Sequence, residues 1–155
     1  MAEQHGKIVP PENAQPADVF GVQVNILLRS EDTGGTFCAY EVIVPPGGGP
    51  PPHVHSHNDE AFYVLEGEIE IRCGEKTVQA GAGTYVYLPR HIPHAFKNVG
   101  EANGRLLGTA TPGGHERFFE DVDRLSRNGP PPMDEALAVC RKHGIELLLP
   151  AAAPA

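Results

Sequence analysis

Three histidines alternate along the middle of the sequence, at positions 53, 55 and 57. In a β-strand, side chains two residues apart point to the same side, so His53 and His55 would share one face. Imidazole is a ligand for zinc, copper, iron and nickel. The alternation therefore indicates either an ordinary surface strand or one half of a metal site, depending on whether further ligands lie nearby.

Two further side chains could complete such a site. Glu60 opens the next predicted strand, and His94 begins a second alternating run in which Phe96 and Asn98 share its face. Three imidazoles and one carboxylate could thus converge from two neighbouring strands and their loop. The carboxylate extends the choice of ion to manganese. An octahedral ion held by three nitrogens and one oxygen keeps two open positions, which is typical of a catalytic site.

Short strands would have to position these ligands. Segments rich in β-branched and aromatic residues recur roughly every ten residues, and glycine-containing turns separate them. The predicted strands are 19–29, 35–44, 60–66, 68–73, 76–80, 84–88, 94–99 and 103–112. None of the intervening segments is long enough for a crossover helix, so the pattern predicts an all-β sandwich or barrel.

The sequence divides into three predicted parts that belong to one domain. Residues 1–17 are polar and proline-rich and are predicted to form a flexible N-terminal arm. Residues 18–112 are predicted to form the barrel. Residues 113–155 are predicted to form a C-terminal helical segment and a tail.

The C-terminal part shows helical patterns. Phe118, Phe119 and Val122 follow a helical spacing, and residues 133–144 predict a second short helix that ends at a glycine. The apolar tail could pack on the barrel or on a partner chain. Together with the arm and an exposed barrel edge, the tail favours a homodimer made by exchanging terminal segments.

Composition excludes several classes of partner. The formal net charge is −8 and the chain has no cluster of lysine or arginine, which argues against binding to nucleic acid or to an anionic membrane. No apolar stretch approaches the roughly 20 residues of a membrane span. The three cysteines are far apart and odd in number, and no signal peptide is visible, so we predict a cytoplasmic protein without a disulfide framework.

The ligand candidates lie in two spaced motifs that resemble those of the cupin superfamily. The matching positions are Gly47-x5-His53-x-His55-x4-Glu60-x6-Gly67 in the first motif and Gly83-x5-Pro89-x-His91-x2-His94-x3-Asn98 in the second. The resemblance covers about residues 20–112. The family has glycine where this chain has His91, which puts the local turn in question because histidine tolerates a positive φ less well.

The resemblance implies a single-domain, jelly-roll type β-barrel with a metal ion at one end. By that resemblance, His53, His55, Glu60 and His94 bind one divalent ion, which could be iron, manganese, nickel, copper or zinc. The chain is most similar to the quercetin 2,3-dioxygenase-like cupins among small bacterial single-domain members. This similarity implies a dioxygenase-type oxidoreductase that uses dioxygen and a small phenolic or enol-type substrate.

Within that hypothesis, Glu60 is the predicted catalytic residue, because it is the one ligand that can loosen and accept a proton. Phe62, Val64 and Phe96 are the predicted lining of the substrate pocket and would keep it dry. Two other functions stay open. The protein could be a zinc cyclase or isomerase without redox chemistry, or it could bind a small ligand without converting it.

The remaining histidines have more ordinary interpretations. His57 alternates with the proposed ligands but falls outside the motif, so it is predicted to face solvent or to lie just behind the ligands. His91 is predicted at the surface or at the rim of the pocket. His5, His115 and His143 have no partners that the sequence reveals and are read as ordinary histidines.

Overall fold

The computed structural model describes residues 5–149. Two short 3₁₀ turns, at Pro11–Asn13 and Ser30–Thr33, accompany eleven strands and two α-helices. The elements are β1 Gln15–Val19, β2 Val22–Leu28, β3 Cys38–Val44, β4 His53–His55, β5 Asp59–Glu66, β6 Ile69–Cys73, β7 Lys76–Ala80, β8 Tyr85–Leu88, β9 His94–Asn98, β10 Gly104–Thr111, α1 His115–Ser126, α2 Met133–Lys142 and β11 Ile145–Leu147.

The strands form two antiparallel sheets. The larger sheet has the order β1-β2-β3-β10-β5-β8, and the smaller has the order β11-β4-β9-β6-β7. Neighbours in space are mostly distant in sequence, as the pairing of β10 with both β3 and β5 shows. The predicted all-β, jelly-roll type barrel with two short C-terminal helices is thereby confirmed.

Side chains from both sheets meet in one hydrophobic core. Alternation along β5 sends Phe62 and Val64 inward and leaves Tyr63 exposed. Gly108 on β10 allows the core to close, because a Cβ atom there would lie 2.5 Å from the ring of Tyr40 and 2.9 Å from that of Phe62. The core therefore excludes any larger residue at this position.

The predicted strand 19–29 contains β2, but its first three residues are the end of β1 and the turn of a hairpin. β1 ends at Val19, and Phe20 and Gly21 make the turn with φ angles of 53° and 84°. A two-residue turn with positive φ at both positions matches the twist of a hairpin. Asp18 supports the turn by accepting a hydrogen bond from the Gly21 N–H at 2.8 Å. Phenylalanine is an unusual residue in such a turn, which is why the sequence pattern did not reveal it.

The ends of the chain contribute to the two sheets. β1 begins at Gln15 and pairs with β2, so the predicted boundary between arm and barrel at residues 17 and 18 falls inside this strand. β11 pairs with β4, which places the start of the predicted tail on the barrel. Residues 1–4 of the predicted arm and residues 150–155 of the predicted tail lie outside the described residues. Among residues 5–149, no helix has the length and apolarity needed to cross a membrane.

Candidate metal centre

The strand β4 carries two of the candidate ligands on one face. His53 and His55 are both buried, while Val54 between them is only partly so. Nδ1 of His53 lies 2.8 Å from the carbonyl oxygen of Pro51. Because a carbonyl oxygen can only accept, Nδ1 carries the proton and Nε2 keeps its lone pair for an ion.

The pairing of β4 with β9 brings in the third imidazole. His53 and His94 are register partners, and their ring centroids are 4.4 Å apart. The rings of His55 and His94 are stacked with centroids 5.2 Å apart. Nδ1 of His94 faces the carbonyl oxygen of Ile92 at 3.3 Å, which again directs Nε2 inward. Two strands distant in sequence thus present three imidazoles to one point.

Glu60 reaches the same point from the larger sheet. It lies on β5 and is buried. Its Oε1 is 3.5 Å from Nε2 of His55, and its Oε2 is 3.6 Å from Nε2 of His94. The four predicted ligands therefore meet where one end of the larger sheet faces the smaller sheet.

The donor atoms fit a divalent ion. One ring nitrogen from each of His53, His55 and His94 lies within 4.8 Å of the others. Atoms bound to one ion at about 2.1 Å lie roughly 3–4 Å apart, so small side-chain movements bring the rings to that spacing. Both nitrogens of His55 and Nε2 of His94 are buried without a hydrogen-bond partner. An ion would supply the interaction that Nε2 of His94 and one nitrogen of His55 lack.

Burial keeps two of the imidazoles neutral. It lowers the pKa of His53 to about 4 and the pKa of His55 to about 3. Their lone pairs are therefore available to a metal at neutral pH. Burial raises the pKa of the Glu60 carboxyl, but the neighbouring imidazoles of His55, His115 and His94 outweigh this effect, so that the pKa lies well below its usual range. The site thus offers neutral nitrogens and one anionic carboxylate.

The sequence did not reveal two buried polar residues beside this cluster. His115, the first residue of α1, places Nε2 at 2.9 Å from Oε1 of Glu60 and forms a second possible ligand group with His55 and Glu60. The hydroxyl of Tyr40 is buried without a hydrogen-bond partner. Burial raises the pKa of Tyr40, and the nearby charge of Glu60 raises it further. The one sequence signal for His115 was the Gly113–Gly114 pair before it, which marks a sharp turn into a helix.

Other histidines lie away from the ligand cluster. His57 is exposed. His91 is also exposed and adopts a φ of 69°, so the turn forms with histidine where the family has glycine. The N–H of His91 donates to the carbonyl oxygen of His55 at 2.8 Å, which ties this turn to the ligand strand. His143 pairs with Asp121, with 2.7 Å between Nε2 and Oδ2.

A cavity of about 660 Å³ extends outward from His53, His55 and Glu60. Phe62 and Phe96, two of the three residues that we predict to line the substrate pocket, line this cavity. Val64, which we also predicted on this wall, lies two residues further along β5 and is fully buried in the core, so it does not line the cavity.

Most of the cavity wall is apolar. Both sheets and the C-terminal segment contribute, including Val22, Val42, Phe119 and Met133. None of the described residues that line the cavity is a lysine or arginine. The cavity therefore suits a neutral and largely apolar molecule better than an anion.

Comparison of the sequence with known families and proteins gives consistent matches. Residues 40–109 match the family described as "Cupin domain". The chain is 29% identical to Protein SchB of Streptomyces halstedii over 69% of this chain and 78% of that protein. It is 26% identical to Polyketide synthase CurC of Streptomyces cyaneus over 72% of this chain and 73% of that protein. It is also 26% identical to Quercetin 2,3-dioxygenase of Bacillus subtilis, over 63% of this chain but only 28% of that protein.

Solved structures resemble the fold. KdgF from a Halomonas species superposes with a TM-score of 0.65 at 20% identity, over 73% of this chain and 99% of that chain. The polyketide cyclase RemF from Streptomyces resistomycificus superposes with a TM-score of 0.59 at 25% identity, over 69% of this chain and 80% of that chain. The first likeness shows the fold alone, because so low an identity leaves the function open.

Proposed function

Because this chain contains a cupin domain, we propose that it is a metal-dependent enzyme that oxidises a small, neutral, phenolic or enol-type molecule with dioxygen. The observation that carries this proposal is that His53, His55 and Glu60 line a largely apolar cavity and that His94 lies within ligand distance of the two histidines. A divalent ion bound there would lower the pKa of a substrate hydroxyl and provide a path for electrons.

The residues of the chain supply the binding and the proton transfer. Glu60 is ionised at neutral pH, since its pKa lies well below the usual range, and its carboxylate can accept the proton of a substrate hydroxyl. Phe62 and Phe96 hold an aromatic ring by stacking and exclude water from the inner cavity. The absence of basic side chains among the described lining residues disfavours anionic substrates.

The proposed reaction balances without a further reductant, because both atoms of dioxygen enter the product. The test uses metal-free protein that is reloaded with one ion at a time, from iron, manganese, nickel, copper and zinc. Each form is mixed with a panel of neutral phenols and flavonols, and oxygen uptake is recorded. We expect uptake with one or two of the redox-active ions and, under ¹⁸O₂, a product that carries two labelled oxygen atoms.

A control variant changes a carboxylate that lies away from the proposed site. Asp121→Asn alters the partly buried histidine–carboxylate pair His143–Asp121 and should leave oxygen uptake unchanged, since Asp121 does not line the cavity. Substrate conversion that proceeds equally well under nitrogen would contradict the dioxygenase proposal.

That last result would favour a second candidate, a cyclase or isomerase in which the ion acts only as a Lewis acid. The coverage of the relatives gives this candidate specific support. The chain spans 73% of Polyketide synthase CurC and 80% of the cyclase RemF, but 28% of Quercetin 2,3-dioxygenase. A neutral aromatic polyketide also suits the cavity. Turnover with Zn²⁺ in the absence of air would distinguish this function, and binding without any product by mass spectrometry would indicate a ligand-binding protein.

A further inference from the structure

We propose that His115 is a positioning residue that determines which oxygen of Glu60 binds the metal ion. The inference rests on the proposed metal site. His115 lies on α1, beyond residues 40–109 that match the family, so a part of the chain outside the matched domain would complete the site.

The contact between the two side chains is well defined. Nε2 of His115 lies 2.9 Å from Oε1 of Glu60, and the side chains are only 3% and 5% exposed. Because an ionised carboxylate can only accept, the imidazole donates its Nε2–H to Oε1. The low exposure of both side chains limits competition from water, so the hydrogen bond holds one oxygen of the carboxylate in place.

This hydrogen bond makes the two oxygens of Glu60 unequal. Oε1 is 3.5 Å from Nε2 of His55, and Oε2 is 3.6 Å from Nε2 of His94. Neighbouring ligand atoms around one ion lie roughly 3–4 Å apart when the bonds are about 2.1 Å, so either oxygen is placed to bind. Since His115 occupies Oε1, we infer that Glu60 binds through Oε2 alone and leaves a coordination position open.

The start of α1 is anchored so that His115 stays in this place. Glu116 is fully buried and accepts hydrogen bonds from the backbone N–H groups of Ser30 at 2.7 Å and Gly114 at 2.9 Å. Gly113 packs directly on Ser30, whose Oγ would lie 2.6 Å from a Cβ atom at that position. The helix therefore begins at a fixed point of the barrel.

Aromatic rings enclose the imidazole of His115. Its centroid is 4.5 Å from that of Phe119 and 5.9 Å from that of Tyr40, both in tilted, edge-on geometry. The ring of His55 lies 5.0 Å away on another side. These contacts restrict rotation of the imidazole, which is what a positioning residue requires.

A direct ligand role for His115 is the competing interpretation. His115 belongs to a group with His55 and Glu60 whose ligand atoms lie within 4.8 Å of one another, and its Nδ1 has no hydrogen-bond partner. A glutamine separates the two roles. Its amide N–H can donate to Glu60 at the same place, but an amide nitrogen does not bind a metal ion as imidazole does.

The test compares His115→Gln and His115→Ala with the wild-type protein and with His143→Ala. The control removes a histidine that also pairs with a carboxylate, at 2.7 Å, but away from the ligands. Metal-free proteins are titrated with Co²⁺ against a competing chelator, and the visible spectrum of the bound Co²⁺ reports its coordination. We expect His115→Ala to weaken Co²⁺ binding by about 10–100-fold and to alter the spectrum, because a free carboxylate can bind through both oxygens.

His115→Gln should keep both the affinity and the spectrum close to wild type, and His143→Ala should match the wild type. A His115→Gln protein that behaves like His115→Ala would overturn the positioning role in favour of a ligand role. Wild-type affinity and spectrum in His115→Ala would overturn the inference alone, whereas a wild-type protein that binds no Co²⁺ would overturn the metal site as well. If circular dichroism shows that His115→Ala does not fold, His115→Leu, which fills the space without a donor, takes its place.

Discussion

Two histidine–carboxylate pairs of similar geometry involve the C-terminal segment. The pair His115–Glu60 has a nitrogen–oxygen distance of 2.9 Å, and the pair His143–Asp121 has one of 2.7 Å. Their surroundings differ completely. Asp121 lies between α1 and α2, half-buried, and also accepts hydrogen bonds from Lys142 and Arg124. The Asp121 carboxylate and the basic side chains around it are therefore all paired.

Glu60 lies in the opposite situation. Its neighbours include the imidazoles of His55, His94 and His115, and four of their nitrogen atoms, two on His55 and one on each of the others, are buried without a hydrogen-bond partner. A pair whose polar neighbours all have hydrogen-bond partners stabilises helix packing. A pair surrounded by ring nitrogens that lack partners is instead arranged to bind a ligand such as a metal ion. The comparison shows that the surroundings of a pair, and not its own distance, separate a structural contact from a functional one.

The largest expected difference between the pairs is in catalysis. Glu60→Gln should lower kcat by about 10²–10⁴-fold, because an amide cannot accept the substrate proton. Asp121→Asn should leave kcat unchanged. Steady-state kinetics on metal-analysed proteins measures both effects, and full activity in a correctly loaded Glu60→Gln enzyme would refute the catalytic role of this residue.

Metal binding should stabilise the protein only at the site beside the pair His115–Glu60. An ion at a hundred times its Kd adds about 2.7 kcal/mol to the free energy of unfolding. This gain should disappear in His94→Ala, which removes a ligand, and persist in His143→Ala. Thermal unfolding with and without the ion measures the difference, and an equal gain in both variants would show that the ion binds elsewhere.

The surroundings of the two pairs should also respond to acid in different pH ranges. Burial lowers the pKa of His53 to about 4 and of His55 to about 3, from a usual 6.5. Below pH 6.5 the unfolded chain therefore binds more protons than the folded one, and stability is lost as the pH falls towards 3–4. Burial raises the pKa of Asp121, but hydrogen bonds from His143, Lys142 and Arg124 outweigh it and lower the pKa, so its contribution is lost only below the usual 3.8.

Urea unfolding of the metal-free protein between pH 7.5 and 3 tests these ranges. His55→Gln should flatten the loss of stability between pH 6.5 and 4, and Asp121→Asn should flatten part of the loss at lower pH. The interpretation fails if His55→Gln keeps the wild-type slope in the upper range.

The smallest expected effect is on stability near neutral pH. Asp121→Asn should lower the free energy of unfolding by about 1 kcal/mol, because two of its three basic partners, Arg124 and Lys142, are mostly solvent-accessible and such pairs contribute little. Chemical denaturation at pH 7 measures this change. A loss of several kcal/mol would mean that this contact between α1 and α2 matters far more to the fold than its exposure indicates.

Most of the barrel could be predicted from the sequence because its signals are local. Alternating apolar residues and glycine turns located β5 to β8 within one residue of their observed bounds. The meeting of His53 and His94 followed from a spaced motif, and their register pairing accounts for it. In contrast, the hairpin at Phe20 and Gly21 depends on a left-handed phenylalanine, which no local pattern announces.

The role of His115 could not be predicted for a different reason. Its contact with Glu60 joins residues far apart in the sequence and depends on where α1 packs. That placement is fixed by the hydrogen bond that the Ser30 N–H donates to the buried carboxylate of Glu116. In the sequence, a single glutamate in an amphipathic helix cannot be distinguished from a solvent-exposed one. Val64 illustrates a different limit of the sequence pattern. Alternation predicted correctly that its side chain points inward, but it could not show that the side chain is fully buried in the core.

The position of β11 has a consequence for the order in which the protein can be assembled. β4, which carries two ligands, pairs with β9 at one residue pair only and with β11 at three. As the ribosome makes the chain from the N-terminus, all four predicted ligands emerge well before α1 and β11 do. We therefore expect the nascent barrel to hold its ligand strand loosely, so that a lasting metal complex forms only after the last strand has been released.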